Sequence, residues 1–465
     1  MTRIGIIGGG PGGYEAALVA AQLGAEVTVV DRDGLGGSAV LTDCVPSKTL
    51  IATAEVMTNT AESGELGVLI GSDAGPYGQV GVDLARVNAR VTGLAQAQSD
   101  DIAARLEREG VRVVRGLGRL DGPTRVVAET AAGDAETVEV DTVLVSTGAH
   151  PRVLPDAQPD GERILTWEQL YTLAELPEHL VVVGSGVTGA EFASAYTALG
   201  SEVTLVSSRD RVLPGEDADA AQVLEDVFKR RGMTVLSKSR AGAVRRSGDR
   251  VLVSLDDGRT VEGSHCMMAV GSIPNTAGLG LEEAGVRLGD GGFIEVDRVS
   301  RTSATGVYAA GDCTGVLMLA SVAAMQGRIA MWHRLGDAVA PLNLRAVSSN
   351  VFTDPEIATV GWTENDMDDS GSTVTVKLPL ATNARAKMQG VHEGFVKLFA
   401  RAGSGTVVGG VVVAPRASEL IFPVALAVES RLTVDQLAHS FTIYPSISGS
   451  VAEAARQLHT KVWRG

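Results

Sequence analysis

The sequence predicts an α/β chain built from two copies of one βαβ unit, followed by a C-terminal α+β domain. Three observations carry this expectation. An apolar run, a glycine cluster, a helical stretch and a second apolar run open the chain. The same order returns about 176 residues later (Gly8 to Gly184). From about residue 346 the composition changes.

Taken in order, RIGIIG at 3–8 is a short apolar run ending in glycine, residues 16–23 have helix composition, and EVTVVD at 26–31 reads as a buried strand with an acidic end. Residues 79–110 read as helical, with an amphipathic stretch IAARLERE at 102–109. Residues 111–145 alternate short strand-like runs with polar turns. The second copy has LVVVG at 180–184, a helix over 190–199 and a strand over 202–206. Beyond 346, FVKLF at 395–399 and VVGGVVV at 407–413 read as strands, and 451–458 as a terminal helix.

The 465 residues suffice for three or four domains or subdomains. The 45% hydrophobic fraction supports several cores. A net charge of −16 argues against a nucleic-acid partner, because phosphate contacts need clustered Lys and Arg. The 56 glycines sit in discrete motifs between apolar runs, as tight βα turns require. Cys44, Cys266 and Cys313 are odd in number and widely spaced, so neither a disulfide framework nor a zinc pattern emerges. No run of about 18 apolar residues predicts a membrane span. The first strand starts almost at residue 1, which leaves no room for a signal peptide and points to the cytoplasm.

Gly8-x-Gly10-x-x-Gly13 follows a strand and opens a helix. The three glycines permit a tight turn, approach of the backbone to a pyrophosphate, and close helix–strand packing. The pyrophosphate then sits at the positive end of the helix. Asp31, 23 residues after Gly8, is placed to accept hydrogen bonds from ribose hydroxyls. Gly184-x-Gly186-x-x-Gly189 repeats the device, so two Rossmann-like dinucleotide-binding domains are expected. The second copy lacks the terminal acid. Its strand runs into SSRDR at 207–211, and Arg209 and Arg211 suit a ribose 2′-phosphate. NADPH is therefore the favoured nucleotide, with NADH also accepted.

Four further blocks carry a resemblance along essentially the whole chain. VSTGAHP at 145–151 resembles an A-T-G-x-x-P link, and GSIPN at 271–275 a G-R-x-P-N segment. VYAAGD at 307–312 resembles a second FAD motif, and DPEIATVG at 354–361 the start of a dimer-interface domain. In this order the blocks resemble the flavoprotein disulfide reductase family. That resemblance implies an FAD-binding domain (1–153), an NAD(P)-binding domain (154–280), a segment completing the FAD domain (281–345) and an interface domain (346–465). It implies tightly bound, non-covalent FAD, with NADPH or NADH as substrate, and a homodimer in which each active site is completed by the other subunit. Gly8, Gly10, Gly13, Asp31, Gly37, Lys48, Thr147, Gly148, Gly311, Asp312 and Ala320 would serve FAD. Gly184, Gly186, Gly189, Arg209, Arg211 and Gly271 would serve the nicotinamide side.

The sequence departs from the family twice. Its redox motif, G-G-x-C-x-x-x-x-C-x-P-S-K, reads GGSAVLTDCVPSK at 36–48, with Ala39 in place of the first cysteine. A thiol–disulfide relay needs two sulfurs, so Cys44 alone cannot complete it. The family's H-P-T-x-x-E reads YPSISG at 444–449, so the His–Glu acid–base pair has become Tyr444 and Gly449. His439 lies five residues off register, and the tail HTKVWRG at 459–465 supplies no thiol. What survives is the flavin half. Lys48 and Glu191 match the family's Lys–Glu pair beside the flavin. Cys44 is a neighbour of the ring or a packing residue, and Tyr444 offers a hydroxyl to an acceptor or fills space. The expected function is an NAD(P)H:quinone reductase with diaphorase activity, the quinone meeting reduced flavin directly. Soluble transhydrogenation, reduction of an external thiol or lipoyl group, and a non-enzymatic FAD-binding redox sensor are the alternatives.

Overall fold

The computed structural model describes residues 1–68, 80–130, 132–367 and 371–462. Residue 79, where the expected helix over 79–110 begins, and the last three residues of the tail lie outside them. The chain packs as two compact units. The first contains 1–49, 88–152 and 271–343; the second contains 50–87, 153–270 and 344–465.

The first unit is centred on a five-stranded parallel sheet. Its strand order is Val307–Ala309, Thr142–Val145, Arg3–Ile7, Glu26–Asp31, Arg112–Arg115. Parallel strands covered on both faces read as continuous apolar runs. Accordingly Ile4, Ile6, Ile7, Val27, Val29, Val30 and Val143 to Val145 are all buried. An antiparallel meander follows (Leu117–Leu120, Arg125–Glu129, Ala135–Glu139), which accounts for the alternating runs read over 111–145.

The second unit repeats the parallel sheet in the order Thr234–Leu236, Glu202–Val206, His179–Val183, His265–Met268, Ile164–Thr166. It also holds a five-stranded antiparallel sheet, ordered Ser348–Val351, Glu356–Gly361, Val407–Ala414, Phe395–Arg401, Thr373–Pro379. Helices Phe422–Glu429 and Gly449–Val462 share a core with that sheet through Val424, Ala454 and Leu458.

Strand bounds follow the sequence reading closely, whereas helix starts shift. The helix expected over 16–23 is Pro11–Gln22, and that expected over 190–199 is Val187–Leu199. Each begins inside its glycine motif, because Gly10 and Gly186 act as N-caps and Pro11 stands in the first turn, where its missing N–H costs nothing. The long amphipathic helix is Leu84–Arg108, and the terminal helix extends to Gly449–Val462.

Candidate active site

In the first unit the glycine loop is built by close approach. Gly8 has φ +100°, and a Cβ there would stand 2.2 Å from the Ser146 carbonyl oxygen. A Cβ at Gly13 would stand 1.9 Å from the Gly8 carbonyl oxygen. Gly10 differs: the nearest atom to its Cβ position is the Gly37 Cα at 3.9 Å. Helix Pro11–Gln22 has no side-chain cap and no acid in its first turn, which leaves its positive end open to an anion. Asp31 accepts the Gly9 N–H at 2.7 Å and the Gly34 N–H at 2.6 Å. It therefore shapes the loop and keeps a free lone pair on each oxygen for a ribose hydroxyl.

The second unit repeats this geometry. A Cβ at Gly184 would stand 2.1 Å from the Ala269 carbonyl oxygen, and one at Gly189 would stand 1.8 Å from that of Gly184. No heavy atom of the described residues lies within 4 Å of the Cβ position at Gly186. Helix Val187–Leu199 is likewise uncapped and free of acid in its first turn. The outer glycines of both loops thus serve packing, while the middle ones are less crowded, Gly186 facing open space and Gly10 only Gly37. A pyrophosphate fits there, and a side chain would fill it.

The ribose ends differ. Ser207 stands where Asp31 stands in the first copy. It is fully buried, bonded through its hydroxyl to the Ser185 hydroxyl at 2.6 Å and to the Arg209 N–H at 3.1 Å. Arg209 is exposed. Arg211 is half-buried, and its guanidinium donates to the Pro214 and Glu216 carbonyls at 3.3 and 3.4 Å, so it is directed into its own loop.

Other expected residues gather in the first unit. Gly37 opens the short helix Gly37–Leu41, and its Cβ position is 2.8 Å from the Gly10 Cα, so these two glycines meet. Thr147 donates its hydroxyl to the Asn275 carbonyl at 2.6 Å, and the Asn275 amide returns a bond to the Thr147 carbonyl at 2.9 Å. The two motif blocks around them pair as strands Ala149–Pro151 and Ser272–Pro274, with the Arg152 N–H on the Gly271 carbonyl at 2.9 Å. Gly148 and Gly271 both have positive φ. Gly311 donates its N–H to Gln326 Oε1 at 2.8 Å, and Asp312 follows. Burial, and secondarily Asp43, push the Asp312 carboxyl up to about 6. Ala320 opens helix Ala320–Leu335, again without a side-chain cap. This helix crosses Pro11–Gln22 at two glycines, a Cβ on Gly327 falling 2.0 Å from the Gly12 carbonyl oxygen.

Cys44 and Lys48 lie in helix Cys44–Glu62, both partly exposed. None of the three cysteines is joined in a disulfide. Cys266 and Cys313 are fully buried, and burial pushes both thiols up, Cys313 to about 11, so neither is a ready nucleophile. In the second unit Glu191 is only 3% exposed and accepts the Phe352 N–H at 2.9 Å. Tyr444 is 86% exposed, in the loop before the helix that Gly449 opens. His439 is turned to its own helix, with Nδ1 2.7 Å from the Asp435 carbonyl. Two residues in this geometry escaped the sequence reading. Ser185 has a signal in hindsight, since it aligns with Gly9 across the repeat. Gln326 has none, being one polar residue inside a helix. No cluster of metal-ligating side chains occurs among the described residues, and no helix there is long and apolar enough to cross a membrane.

Two such glycine loops in one chain define a class of redox protein built to hold two dinucleotides. Residues 2–327 match the family model described as pyridine nucleotide-disulphide oxidoreductase, and residues 347–455 match that family's dimerisation domain. The chain belongs to this family. It is 57% identical to a Mycobacterium tuberculosis protein named NAD(P)H dehydrogenase (quinone), over 98% of this chain and 94% of that protein. It is 34% identical to a dihydrolipoyl dehydrogenase of Chlorobaculum parvum, over 97% and 96% of the respective chains. The crystal structure of LpdA from Mycobacterium tuberculosis superposes with a TM-score of 0.93 at 56% identity, over 98% of this chain and 100% of that one.

Proposed function

We propose that this protein is a cytoplasmic, homodimeric, FAD-dependent NAD(P)H:quinone oxidoreductase that does not reduce disulfides. The observation that carries the reading is a selective loss. Both dinucleotide loops are intact, while the thiol relay is broken at Ala39 and the His–Glu pair at Tyr444 and Gly449. The remaining thiols cannot replace the lost one, because Cys266 and Cys313 are buried. The name and 57% identity of the mycobacterial relative support the quinone as acceptor.

Bound FAD supplies two-electron chemistry between the nicotinamide and the quinone. On this reading residues 1–153 and 281–345 hold the flavin, 154–280 hold NAD(P)H, and 346–465 form the dimer interface. Gly10 and Gly186 admit the two pyrophosphates to their helix ends. Asp31 binds the FAD ribose, and Asp312 a hydroxyl of the flavin's ribityl chain. Arg209 meets the 2′-phosphate of NADPH. Lys48 serves the flavin, and Glu191, fixed by the Phe352 N–H, serves the nicotinamide side. Cys44 lines the flavin pocket, and Tyr444 offers its hydroxyl to the quinone. The exposed Phe422, Phe441 and Ile443 supply apolar surface for a second copy.

The test is turnover. The purified holoenzyme should oxidise NADPH, and NADH less well, with a benzoquinone, and leave lipoamide and oxidised glutathione untouched. Turnover of either disulfide would refute the proposal. Hydride exchange between NADPH and an NAD⁺ analogue without quinone would favour transhydrogenation instead.

A further inference from the structure

Lys397 is a cation within the apolar run FVKLF at 395–399, and it is 1% exposed. A buried ammonium must be compensated. Here its Nζ lies 2.8 and 3.0 Å from the two oxygens of Asp217, 2.7 Å from Asp219 and 2.8 Å from Glu364. Lys377 adds a second cation 3.0 Å from Asp219. Asp217 is equally buried at its side chain and is the N-cap of helix Ala218–Arg230, accepting the Ala220 N–H at 3.1 Å. One carboxylate thus joins the antiparallel sheet to the start of that helix.

The segment ending at Asp217 is the one that begins at Ser207. It is tied at intervals: the Leu213 N–H to the Ser185 carbonyl at 2.9 Å, the Glu216 N–H to the Leu213 carbonyl at 3.0 Å, and Arg211 to two carbonyls. Leu213 takes a left-handed φ of +49°, a strained conformation for a leucine that persists only where its surroundings hold it. The far anchor of this segment is the Asp217–Lys397 pair.

From this arrangement we propose that Lys397 is a positioning residue for nucleotide selection: through Asp217 it holds the 207–217 segment so that Arg209 meets the adenosine 2′-substituent. This rests on the reading of the Gly184–Gly189 loop as the NAD(P) site.

The test uses flavin-loaded holoenzyme and two probes, ADP-ribose and its 2′-phosphate, with affinities measured by calorimetry. Wild-type protein that binds neither probe would remove the reading of the loop, and this assignment with it. In Lys397→Met the affinity for the 2′-phosphate should fall by about tenfold, and that for ADP-ribose by less than about threefold. The KM for NADPH should rise while kcat holds. Because Lys397→Met leaves Asp217 and Glu364 without their cation, Asp217→Ser is the second variant. It keeps a capping hydroxyl, removes the charge, and should lower the 2′-phosphate affinity by about threefold. Lys377→Met, whose ion pair is partly exposed, should change neither affinity. Unchanged affinities in Asp217→Ser, or an equal loss for both probes in each variant, would overturn the assignment.

Discussion

The two glycine loops of this chain, Gly8 to Asp31 and Gly184 to Ser207, share backbone geometry and diverge at one facing pair of positions beside the ribose end. Where the first has Gly9 and Asp31, the second has Ser185 and Ser207. These changes belong together. A Cβ on Gly9 would stand 2.8 Å from Leu35 and 3.0 Å from the Asp31 carboxylate, so Leu35 and the acid together crowd out a side chain there. With the shorter Ser207, a second serine fits and the hydroxyls bond at 2.6 Å. The phosphate-binding part of the motif is therefore retained under packing constraints, while its ribose end changes as a pair of residues.

The comparison can be broken most completely at the outer glycines. Gly13→Ala should yield protein without flavin, seen as loss of the visible absorption. Gly189→Ala should retain flavin that NADPH no longer bleaches. In both, the added carbon falls within 2 Å of a carbonyl oxygen.

A second contrast concerns Asp312 of the first unit, a carboxyl that burial shifts upward. Burial holds its carboxyl at about 6, above the ordinary aspartate value of about 3.9, so the folded state binds the proton more tightly. Stability is then lost as pH rises from about 4 to about 6, and the loss stays constant above that, on the order of 3 kcal/mol. In flavin-stripped protein, Asp312→Asn should be more stable than wild type by about that amount at pH 7, and equal to it near pH 4. Urea unfolding at the two pH values checks this. An equal difference at both would exclude burial of the carboxylate as the cause.

The double substitution Ser185→Gly/Ser207→Asp writes the first loop's ribose end into the second. It should move the ratio of kcat/KM for NADPH over NADH by at least about tenfold toward NADH. Ser207→Asp alone should do worse in every measure, since the new carboxylate meets the Ser185 side chain. The smallest structural effect is expected at Gly186→Ala. Its methyl enters open space, so stability should stay within about 1 kcal/mol while the KM for both nucleotides rises.

The sheets were legible because parallel strands are buried on both faces: Glu202–Val206 and Arg3–Ile7 announce themselves as apolar runs, each with a glycine close to one end. Helix starts were less so, since Gly10 and Gly186 look like turn residues until their capping role is seen. The pairing of 149–151 with 272–274 was hidden, because three-residue strands more than 100 residues apart leave no periodic trace. Lys397 was passed over inside FVKLF for a related reason. A buried lysine is intelligible only with its partners, and Asp217 lies 180 residues away.

The short ladder between 149–151 and 272–274 has a consequence for gene architecture. Residues 152 and 271, which flank the stretch 153–270, are hydrogen-bonded neighbours. A stretch whose flanks already touch can be inserted, exchanged or lengthened without opening the host that carries it. Its loops can thus change length while the ladder stays closed, but a version borrowed from a relative must carry the partners of Phe352 and Lys397 with it.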